Sequence, residues 1–259
     1  MNLRLEDRTA LVTGSTKGIG FAIARALAAE GASVVVNGRS AESAQGAARK
    51  IGGKARGVAA DVSTAAGCAA LLREVPQVDI LVNNAGIFEP KAFAEIPDSD
   101  WSRFYEVNVM SGVRLARGYL RGMLERNWGR MIFISSESGV QIPEEMIHYG
   151  MTKAAQIALV NGMAQLTKGT AVTVNAVLPG PTASEGVTEF VGQLASSAKQ
   201  SPEEFEKEFF KSVRPTSLLQ RFANVDEVAS MVAFLCSPLA SATNGAAVRV
   251  DGGVLRATV

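Results

Sequence analysis

Residues 9–31 read TALVTGSTKGIGFAIARALAAEG, and this stretch decides the fold. It begins with a short apolar run, residues 9–13, which predicts a buried strand. A turn with three glycines, Gly14–Gly20, follows at once, and apolar residues then recur at helical spacing up to Gly31, a typical C-terminal stop for a helix. Glycines let the backbone approach a phosphate, and the free N–H groups at a helix start attract the anion. The order of strand, glycine turn and helix therefore indicates a phosphate-binding turn; a tight turn without a ligand is the alternative.

The rest of the chain continues this alternation of strands and helices. Further strands are predicted at residues 33–37, 57–60, 79–82, 130–135, 171–177 and 247–250. Helices are predicted at residues 41–51, through 69–72, at 99–126, from 149 onwards and from 224 onwards. The alternation predicts the α/β class, with one parallel sheet covered by helices on both faces, in a single domain over residues 1–259. Within it, residues 183–214 are polar and loosely amphipathic, which predicts a helical flap over the substrate.

Composition and charge exclude several classes of function. The 259 residues are 47% hydrophobic and 20% charged with a formal net charge of +1, which argues against a dedicated nucleic-acid surface or a basic membrane patch. No run has the apolar length of a membrane span, and the first residues do not resemble a signal peptide. Cys68 and Cys236 form no metal or redox motif, so we expect a cytoplasmic protein without a metal. One histidine, His148, and no Gly-x-Ser-x-Gly turn argue against a serine hydrolase.

A second stretch, residues 136–153, brings together a hydroxyl, a phenol and an ammonium. It reads SESGVQIPEEMIHYGMTK, with Ser136 at the end of a predicted strand and Tyr149 and Lys153 four residues apart. On a helix the last two share one face, so all three groups can surround one cavity. A phenol has a reference pKa of about 10, and a nearby cation lowers it toward the range that acid–base catalysis requires. The alternative is an ordinary amphipathic helix with a packed Tyr and a solvated Lys.

The end of the second predicted strand bears on the choice of dinucleotide. An acidic residue there binds the ribose 2′-hydroxyl of NAD and repels a 2′-phosphate. This chain instead has Arg39 after Asn37 and Gly38, and Lys17 in the glycine turn adds a second cation. Both side chains can pair with a 2′-phosphate, so the sequence favours NADP(H), with NAD(H) as the alternative. A solvated Arg39 that stacks on the adenine without discriminating is also compatible with the sequence.

Five separated motifs, taken in order, resemble those of the short-chain dehydrogenase/reductase family. They are Thr13-Gly14-x-x-x-Gly18-Ile19-Gly20, Asn83-Asn84-Ala85-Gly86, Ser136 with Tyr149-x-x-x-Lys153, Pro179-Gly180, and Asp251-Gly252-Gly253. The resemblance covers nearly the whole chain. It implies a doubly wound Rossmann fold with strand order 3-2-1-4-5-6-7, a homotetramer, and hydride transfer between a nicotinamide and a carbonyl or secondary alcohol.

The resemblance also assigns catalytic roles. It implies that Tyr149 is the general acid for reduction and the base for oxidation, and that Ser136 binds the substrate oxygen. Lys153 would lower the pKa of Tyr149 and bind the nicotinamide ribose. Asn108 would hold a water that links Lys153 to solvent; a satisfied polar residue or a local bend is the alternative for an Asn inside a helix.

Cofactor contacts follow from the same resemblance. The residues expected to contact the dinucleotide are Gly14, Ser15, Thr16, Lys17, Gly18, Ile19, Gly20, Arg39, Asp61, Val62, Asn83, Ala85, Gly86, Tyr149, Lys153, Pro179, Gly180 and Thr182. Asp61 would contact the adenine amino group, although an N-cap role for Asp61 or Ser63 fits the residues nearly as well. For Asn83, the alternative to a cofactor contact is a structural role at a sharp turn.

The substrate is the least determined feature. Among family members the chain most resembles the 3-oxoacyl-[acyl-carrier-protein] reductases, in which basic residues dock an acidic carrier; Arg126 and Arg130 are the candidates here. Thr170 stands where an Arg is expected, which weakens this prediction and favours a reductase or dehydrogenase that acts on a free ketone, sugar or other secondary alcohol. An NAD-dependent dehydrogenase of a sugar or other secondary alcohol and a non-catalytic NADP(H) sensor or scaffold are the alternatives. Residues expected to shape the pocket or to lie exposed in its loop are Glu144, Glu145 and His148, and those expected to pack are Tyr105 and Tyr119.

Overall fold

Strands from the whole length of the chain pair into one parallel sheet in this computed structural model, which describes residues 2–185 and 201–257. In chain order the strands are β1 (Thr9–Val12), β2 (Ser33–Gly38), β3 (Arg56–Ala59), β4 (Ile80–Asn83), β5 (Gly129–Ile134), β6 (Val172–Pro179), β7 (Thr182–Ala183), β8 (Ala223–Asn224) and β9 (Ala247–Val250). The main sheet has the order β3-β2-β1-β4-β5-β6-β9, while β7 and β8 pair separately. The predicted order is confirmed, with β9 as the seventh strand.

Helices connect these strands and cover both faces of the sheet. They are α1 (Gly18–Ala29), α2 (Ala41–Ile51), α3 (Ala65–Glu74), α4 (Asp98–Tyr105), α5 (Ser111–Glu125), α6 (Ile147–Gln165), α7 (Pro202–Ser212) and α8 (Val225–Cys236). Side chains alternate along each strand, so β1 feeds two cores. Val12 packs in one core with Ile23 of α1 and Val232 of α8. Leu11 packs in the other with Leu115 of α5 and Val160 of α6.

The order of the strands determines where a ligand can bind. The chain moves outward from β1 to β3 and then returns to β4 on the other side of β1. The connections after β1 and β4 therefore leave the sheet in opposite directions and open a crevice at the carboxyl edge. The glycine turn follows β1 at this edge, and Asn83–Gly86 follows β4.

The predicted helix over residues 99–126 is interrupted. Helix α4 passes at Tyr105 into a five-residue π-helical segment, Glu106–Met110, before α5 begins. Such a segment adds one residue to a turn and frees backbone groups, and it often occurs at functional sites. The apolar period of the sequence continues through it, which is why the sequence predicted one uninterrupted helix. Asn108 lies in the middle of this segment.

The predicted flap is described at its two ends only, because residues 186–200 lie outside the described ranges. Ser201 caps α7 by accepting the Glu204 N–H at 3.2 Å, and the Glu204 carboxylate accepts the Ser201 N–H at 2.8 Å. Phe210 of α7 is buried against Phe222, with 5.2 Å between ring centroids. This end of the segment is therefore anchored.

The described residues also bear on the predictions about membranes, metals and the tyrosines. None of the helices in residues 2–185 and 201–257 is long and apolar enough to cross a membrane. Within the same residues no three His, Cys, Asp or Glu side chains lie together as metal ligands. Tyr119 is buried as predicted, whereas the packing prediction for Tyr105 is wrong, because its side chain is 43% exposed on α4.

Candidate active site

The hydroxyl of Ser136 lies just beyond the carboxyl end of β5. Its oxygen accepts the Ser138 N–H at 3.1 Å, which fixes a short 3-10 turn. The hydroxyl itself donates to the Glu137 carboxylate next in sequence. The strand thus delivers a buried, oriented hydroxyl to the edge where the crevice opens.

Helix α6 brings Tyr149 and Lys153 to the same place. The Lys153 ammonium is 5.5 Å from the centroid of the Tyr149 ring and donates to the Ile134 carbonyl at 2.8 Å. Only 4% of Lys153 is exposed, and this burial lowers the pKa of its ammonium to about 8, although the Glu137 carboxylate acts in the opposite direction. A buried amine disfavours its charged form. The three predicted catalytic groups therefore converge on the end of β5.

The Tyr149 phenol lies among groups that shift its pKa in opposite directions. The pKa of the Tyr149 phenol is raised above its ordinary value, first by burial and then by the Glu137 carboxylate. A hydrogen bond with Ser136 and the charge of Arg214 act in the lowering direction but are outweighed. Burial and, after it, the Glu137 carboxylate thus outweigh the groups that lower this pKa in the protein by itself, and the lowering by Lys153 stays a prediction.

Asn108 is hydrogen-bonded throughout. Its amide oxygen accepts the Ile87 N–H at 2.8 Å, and its amide nitrogen donates to the Ile87 carbonyl at 3.0 Å and to the Thr152 hydroxyl at 2.9 Å. Its backbone carbonyl accepts the side-chain amide of Gln156 at 2.6 Å. The oxygen of that same amide accepts the Lys153 ammonium at 3.3 Å. Gln156 thus connects the Lys153 ammonium to the Asn108 carbonyl, and the water that would link Lys153 to solvent stays a prediction.

The glycine turn has the backbone conformation that a phosphate site needs. Gly14 and Gly18 have positive φ values of 58° and 61°, which other residues adopt only with strain. A Cβ at Gly20 would lie 2.4 Å from the Asn84 amide nitrogen and 2.6 Å from the Gly14 carbonyl, so this position has no room for a side chain. The Asn84 amide donates to the Thr13 and Gly14 carbonyls at 2.9 and 3.0 Å and ties the turn to the end of β4.

An anionic oxygen already lies on this turn. The Gly18 N–H donates to the Glu185 carboxylate at 2.5 Å. A carboxylate in this position shows that the amino end of α1 accepts negative charge, as it must for a pyrophosphate. The residues present therefore fit the dinucleotide that the sequence predicts.

Ser15 has a different role from the predicted cofactor contact. Its hydroxyl donates to the Val12 carbonyl at 2.6 Å and accepts the Asn37 N–H at 3.1 Å, and its own N–H donates to the Asn37 carbonyl at 2.9 Å. Both of its hydrogen-bonding groups are thus used inside the protein. Thr16 is partly exposed and packs on Gly38, where a Cβ would lie 2.5 Å from its methyl carbon. Ser15 shapes the turn, and the prediction that it contacts the cofactor is not supported.

The two cations predicted to select NADP(H) are exposed at the crevice. Arg39 follows β2 and Lys17 lies at the start of α1. Neither side chain has a hydrogen bond or ion pair with another of the described residues. At the same strand end Asn37 is buried, and its amide donates to the Val58 and Ala60 carbonyls at 3.3 and 3.1 Å. Asn37 therefore joins β2 to β3, while Arg39 presents its charge to solvent.

Neither Asp61 nor Ser63 is the N-cap residue of α3. Its carboxylate accepts the Ser63 N–H at 3.1 Å and the Ser63 hydroxyl at 2.7 Å, and Thr64 is the residue that caps α3. Asp61 is exposed and Val62 is buried, so the adenine contact of Asp61 stays a prediction. Asn83 is buried, with both amide atoms unpartnered within the described residues, and lies near Gly112 of α5. Its amide therefore lies on the side of the sheet that α5 covers.

The turn after β6 is held against the end of β9. A Cβ at Gly180 would lie 2.7 Å from the Asp251 carbonyl oxygen, and the Gly180 N–H donates to the Val250 carbonyl at 3.0 Å. The Thr182 hydroxyl donates to the Gly180 carbonyl at 2.9 Å. This fixes the Pro179–Thr182 turn at the carboxyl edge. Gly86 lies across the crevice, where a Cβ would be 3.6 Å from the Lys153 ammonium and 3.4 Å from the Asn108 amide oxygen.

Comparison with known proteins agrees with this geometry. The family model described as short chain dehydrogenase matches residues 8–194. The chain belongs to the short-chain dehydrogenase family. It is therefore an oxidoreductase of the class whose members use NAD(P), as the sequence predicted. Beyond the matched residues, β9 adds the seventh strand to the same sheet.

Three relatives illustrate the range within the family. "Uncharacterized oxidoreductase YvaG" of Bacillus subtilis (strain 168) is 49% identical over 261 residues, which cover 99% of each chain. The 3-oxoacyl-[acyl-carrier-protein] reductase FabG of Aquifex aeolicus (strain VF5) is 36% identical over 98% of this chain and 100% of its own. A crystal structure of L-sorbose reductase from Gluconobacter frateurii, complexed with NADPH and L-sorbose, has a TM-score of 0.94 and 32% identity over 99% of this chain and 100% of that one.

The prediction that Arg130 docks a carrier near this short-chain dehydrogenase site is wrong. Arg130 is 1% exposed and donates to the carbonyls of Gly129, Ala171 and Ser237 at 2.9, 2.7 and 3.2 Å. It also lies at the start of β5, the opposite edge of the sheet from Ser136, so it cannot dock a carrier at the pocket. Arg126 is exposed at the end of α5 near that same edge.

His148 neither shapes the pocket nor lies exposed. Its ring is fully buried, 4.0 Å from the Phe104 ring and 6.0 Å from the Trp101 ring, between α4 and α6. Burial lowers the pKa of this imidazole, and neither ring nitrogen has a hydrogen-bond partner within the described residues. The neutral ring therefore acts as a packing group. Glu144 is exposed as the sequence allowed, and Glu145 is half-buried.

Sequence reasoning missed three residues around the catalytic groups: Gln156 and Glu137, which contact Lys153 and Ser136, and Arg214, which contacts Glu137. Gln156 lies one helical turn after Lys153, a spacing that places both on one face and could have identified it. Glu137 follows Ser136 directly, and an acid at a strand end is a recognisable signal. Arg214 is 77 residues from its partner Glu137, and nothing in the sequence pairs them.

Proposed function

We propose that this short-chain dehydrogenase catalyses NADP(H)-dependent hydride transfer between the nicotinamide and a carbonyl or secondary alcohol, and that it mainly reduces a ketone. The observation that carries the proposal is the convergence of Ser136, Tyr149 and Lys153 at the carboxyl end of β5, with the Lys153 ammonium held by the Ile134 carbonyl at 2.8 Å. A hydroxyl, a phenol and a cation around one position form the donor set that stabilises and protonates a developing alkoxide.

The protein's own groups divide the acid–base work. Tyr149 donates its phenolic proton to the substrate oxygen during reduction and removes it during oxidation. Burial and the Glu137 carboxylate raise the pKa of its phenol, so the group holds its proton before the substrate and cofactor bind. Ser136 donates a second hydrogen bond to the same substrate oxygen. For this its hydroxyl turns from the Glu137 carboxylate that it contacts in the structure. The positive charge of Lys153 favours the phenolate left after proton transfer.

The cofactor, when bound, supplies or accepts the hydride. The residues that would hold it are the backbone of Gly14–Gly20 for the pyrophosphate, Arg39 and Lys17 for a 2′-phosphate, Asp61 and Val62 for the adenine, and Asn83–Gly86 with Pro179–Thr182 for the nicotinamide end. Two exposed cations and no acid beside the end of β2 support NADP(H) over NAD(H). The NADPH in the similar L-sorbose reductase supports the same choice.

Titration of the purified protein with NADPH and NADH, followed by fluorescence, tests the cofactor choice. We expect NADPH to bind more tightly, and Arg39→Ser to lower its affinity about tenfold to a hundredfold because a charge-assisted bond to the phosphate is lost. NADH binding should change little. Arg49→Ser, an exposed arginine on the far end of α2, is the matched control. Equal losses for both dinucleotides would contradict the assignment of Arg39 to the phosphate.

Reduction of a free ketone is favoured over a carrier-bound 3-oxoacyl group by one observation. Of the two arginines considered for carrier docking, Arg130 is buried, with its guanidinium bound to backbone carbonyls. The similar FabG reductase of Aquifex aeolicus keeps the 3-oxoacyl thioester as the second candidate. Oxidation of a secondary alcohol with NAD and a homotetrameric assembly stay predictions from the family resemblance.

A further inference from the structure

A cluster of three charged side chains lies beside Ser136, and none of them donates or accepts a proton in the proposed reaction. The Arg214 guanidinium is 3.4 Å from a Glu137 carboxylate oxygen through its Nε and 3.3 Å from a Glu145 carboxylate oxygen through its Nη1. Side chains of Arg214 and Glu137 are only 11% and 6% exposed, whereas Glu145 is 40% exposed. The cluster thus begins in the protein interior and opens to solvent at Glu145.

Three separate parts of the chain supply this cluster. Glu137 follows β5, Glu145 lies in the short turn before α6, and Arg214 follows α7. Burying charged groups is costly unless they are paired, and a structural ion pair needs only one partner for each charge. Here two carboxylates share one guanidinium, which leaves a net charge of −1 and carboxylate lone pairs beyond those that Arg214 and Ser136 use.

The cluster is close enough to the reacting groups to touch a substrate. The Glu137 carboxylate accepts the hydroxyl of Ser136, and both Glu137 and Arg214 act electrostatically on the Tyr149 phenol. A substrate whose carbonyl oxygen contacts Ser136 and Tyr149 would therefore place its neighbouring carbons near Glu137. When Ser136 turns to that oxygen, the carboxylate oxygen that it contacted needs a new donor.

A hydroxyl group on the substrate meets this requirement. It donates to the carboxylate, adds no charge, and can accept from the guanidinium with its own lone pairs. A plain acyl chain offers no donor and would leave the buried charges unsolvated. An anionic 3-oxoacid would bring a further carboxylate beside Glu137, and like charges repel. We propose that Glu137, Arg214 and Glu145 form a substrate subsite that selects neutral polyhydroxylated ketones, or the corresponding polyols, over 3-oxoacyl substrates and simple ketones.

The inference rests on the proposed oxidoreductase function, and its test separates the two. The experiment measures kcat/KM with NADPH for three probes: L-sorbose as the polyhydroxylated ketone, cyclohexanone as the simple ketone and acetoacetate as the anionic 3-oxoacid. We expect L-sorbose to be preferred. Lack of turnover of any probe, or of the matching alcohols with NADP, would overturn the proposed function and the inference with it. Turnover of cyclohexanone or acetoacetate in preference to L-sorbose would overturn the inference alone.

Variants assign the preference to the cluster. Glu137→Gln keeps the shape of the side chain but removes its charge, and we expect kcat/KM for L-sorbose to fall about tenfold to a hundredfold, as for a lost hydrogen bond to a charged group. The value for cyclohexanone should fall much less. Glu145→Gln, at the exposed end, should have a smaller effect in the same direction and guards against misfolding at the buried position. Glu74→Gln, on the exposed pair with Arg56 of β3, is the control.

Two results for Glu137→Gln would contradict the subsite. Equal losses for L-sorbose and cyclohexanone would mean that Glu137 acts through Ser136 and Tyr149 and does not contact the substrate. Unchanged kcat/KM values for both probes in both Glu137→Gln and Glu145→Gln would mean that the cluster has only a structural role.

Discussion

Two tyrosines in this protein have phenol pKa values shifted in the same direction but lie in different surroundings: Tyr119 is buried, and Tyr149 is partly exposed. Tyr119 on α5 and Tyr149 on α6 both have phenol pKa values raised above the ordinary value, with burial as the largest cause. The Tyr119 hydroxyl donates to the Val75 carbonyl at 2.7 Å. Tyr149 instead has Lys153 at 5.5 Å from its ring centroid and the charged groups of Glu137 and Arg214 within electrostatic reach.

The comparison shows that a perturbed pKa does not identify a catalytic tyrosine. Burial raises the pKa of any phenol, because it disfavours the charged form. Tyr149 differs in its neighbours: a buried ammonium and a hydroxyl can stabilise the negative charge left when its proton leaves. It also lies at the crevice along the carboxyl edge of the sheet, where a substrate can bind. The Tyr119 hydroxyl instead donates to a backbone carbonyl, and among the described residues no ammonium or second hydroxyl is hydrogen-bonded to it.

The largest expected effect is the loss of activity when the Tyr149 hydroxyl is removed. Tyr149→Phe removes the proton donor, and we expect kcat for ketone reduction with NADPH to fall about 10²- to 10⁴-fold, the range for loss of a general acid. NADPH affinity should stay within a few-fold. Tyr105→Phe, which alters an exposed hydroxyl on α4, is the control. A Tyr149→Phe enzyme that keeps the wild-type rate would show that the catalytic assignment is wrong.

A smaller loss of activity is expected from changing Gln156, which connects Lys153 to the π-helical segment. Gln156→Leu removes the acceptor of the Lys153 ammonium at 3.3 Å and the donor to the Asn108 carbonyl at 2.6 Å. We expect kcat to fall about tenfold, since one hydrogen bond to a charged group is lost. The alkaline limb of the pH–rate profile should move to lower pH, because the ammonium loses a favourable contact.

Two further variants test Gln156 as a positioning residue. Gln156→Glu places a carboxylate beside the ammonium and should move the same limb to higher pH. Gln165→Leu makes the matched change on an exposed part of α6 and should leave the profile unchanged. If Gln156→Leu lowers stability without moving the pH profile, the residue has a packing role only.

The smallest expected effect is on stability and concerns Lys153. Its pKa of about 8 in the folded protein lies below the unfolded value of about 10.4. Between these values the unfolded chain binds more protons, so this group makes the free energy of unfolding rise as pH increases from about 8 to about 10.4. Lys153→Met removes this dependence. Urea unfolding from pH 7 to 10 should therefore show the difference between wild type and Lys153→Met moving in favour of the wild type; a constant difference would contradict the lowered pKa.

Much of this fold follows from local signals. The glycine turn after β1 and the alternation of apolar strands with helices predicted the sheet, and the bounds of β9 and α2 were predicted to the residue. Ser136, Tyr149 and Lys153 could be predicted because their spacing and secondary structure bring them to one strand end. These features depend on residues close together in the sequence.

Features that depend on distant residues or on exact backbone hydrogen bonds could not be predicted. The π-helical segment at Glu106–Met110 keeps the apolar period of an ordinary helix. The burial of Arg130 depends on the carbonyls of Ala171, just before β6, and Ser237, just after α8, so a charged residue at a strand start gave no sign of it. The position of Arg214 beside Glu137 and the unexpected rise of the Tyr149 pKa have the same origin.

One pair of measurements tests the contrast between the tyrosines most directly: kcat and the free energy of unfolding for Tyr149→Phe and Tyr119→Phe side by side. We expect opposite patterns. Tyr149→Phe should lose activity and keep its stability, while Tyr119→Phe should keep its kcat and lose about 1–3 kcal/mol, because the Val75 carbonyl is left unpartnered. If both variants lose activity in proportion to stability, or if Tyr119→Phe alone is inactive, the surroundings of Tyr149 do not make it the catalytic acid.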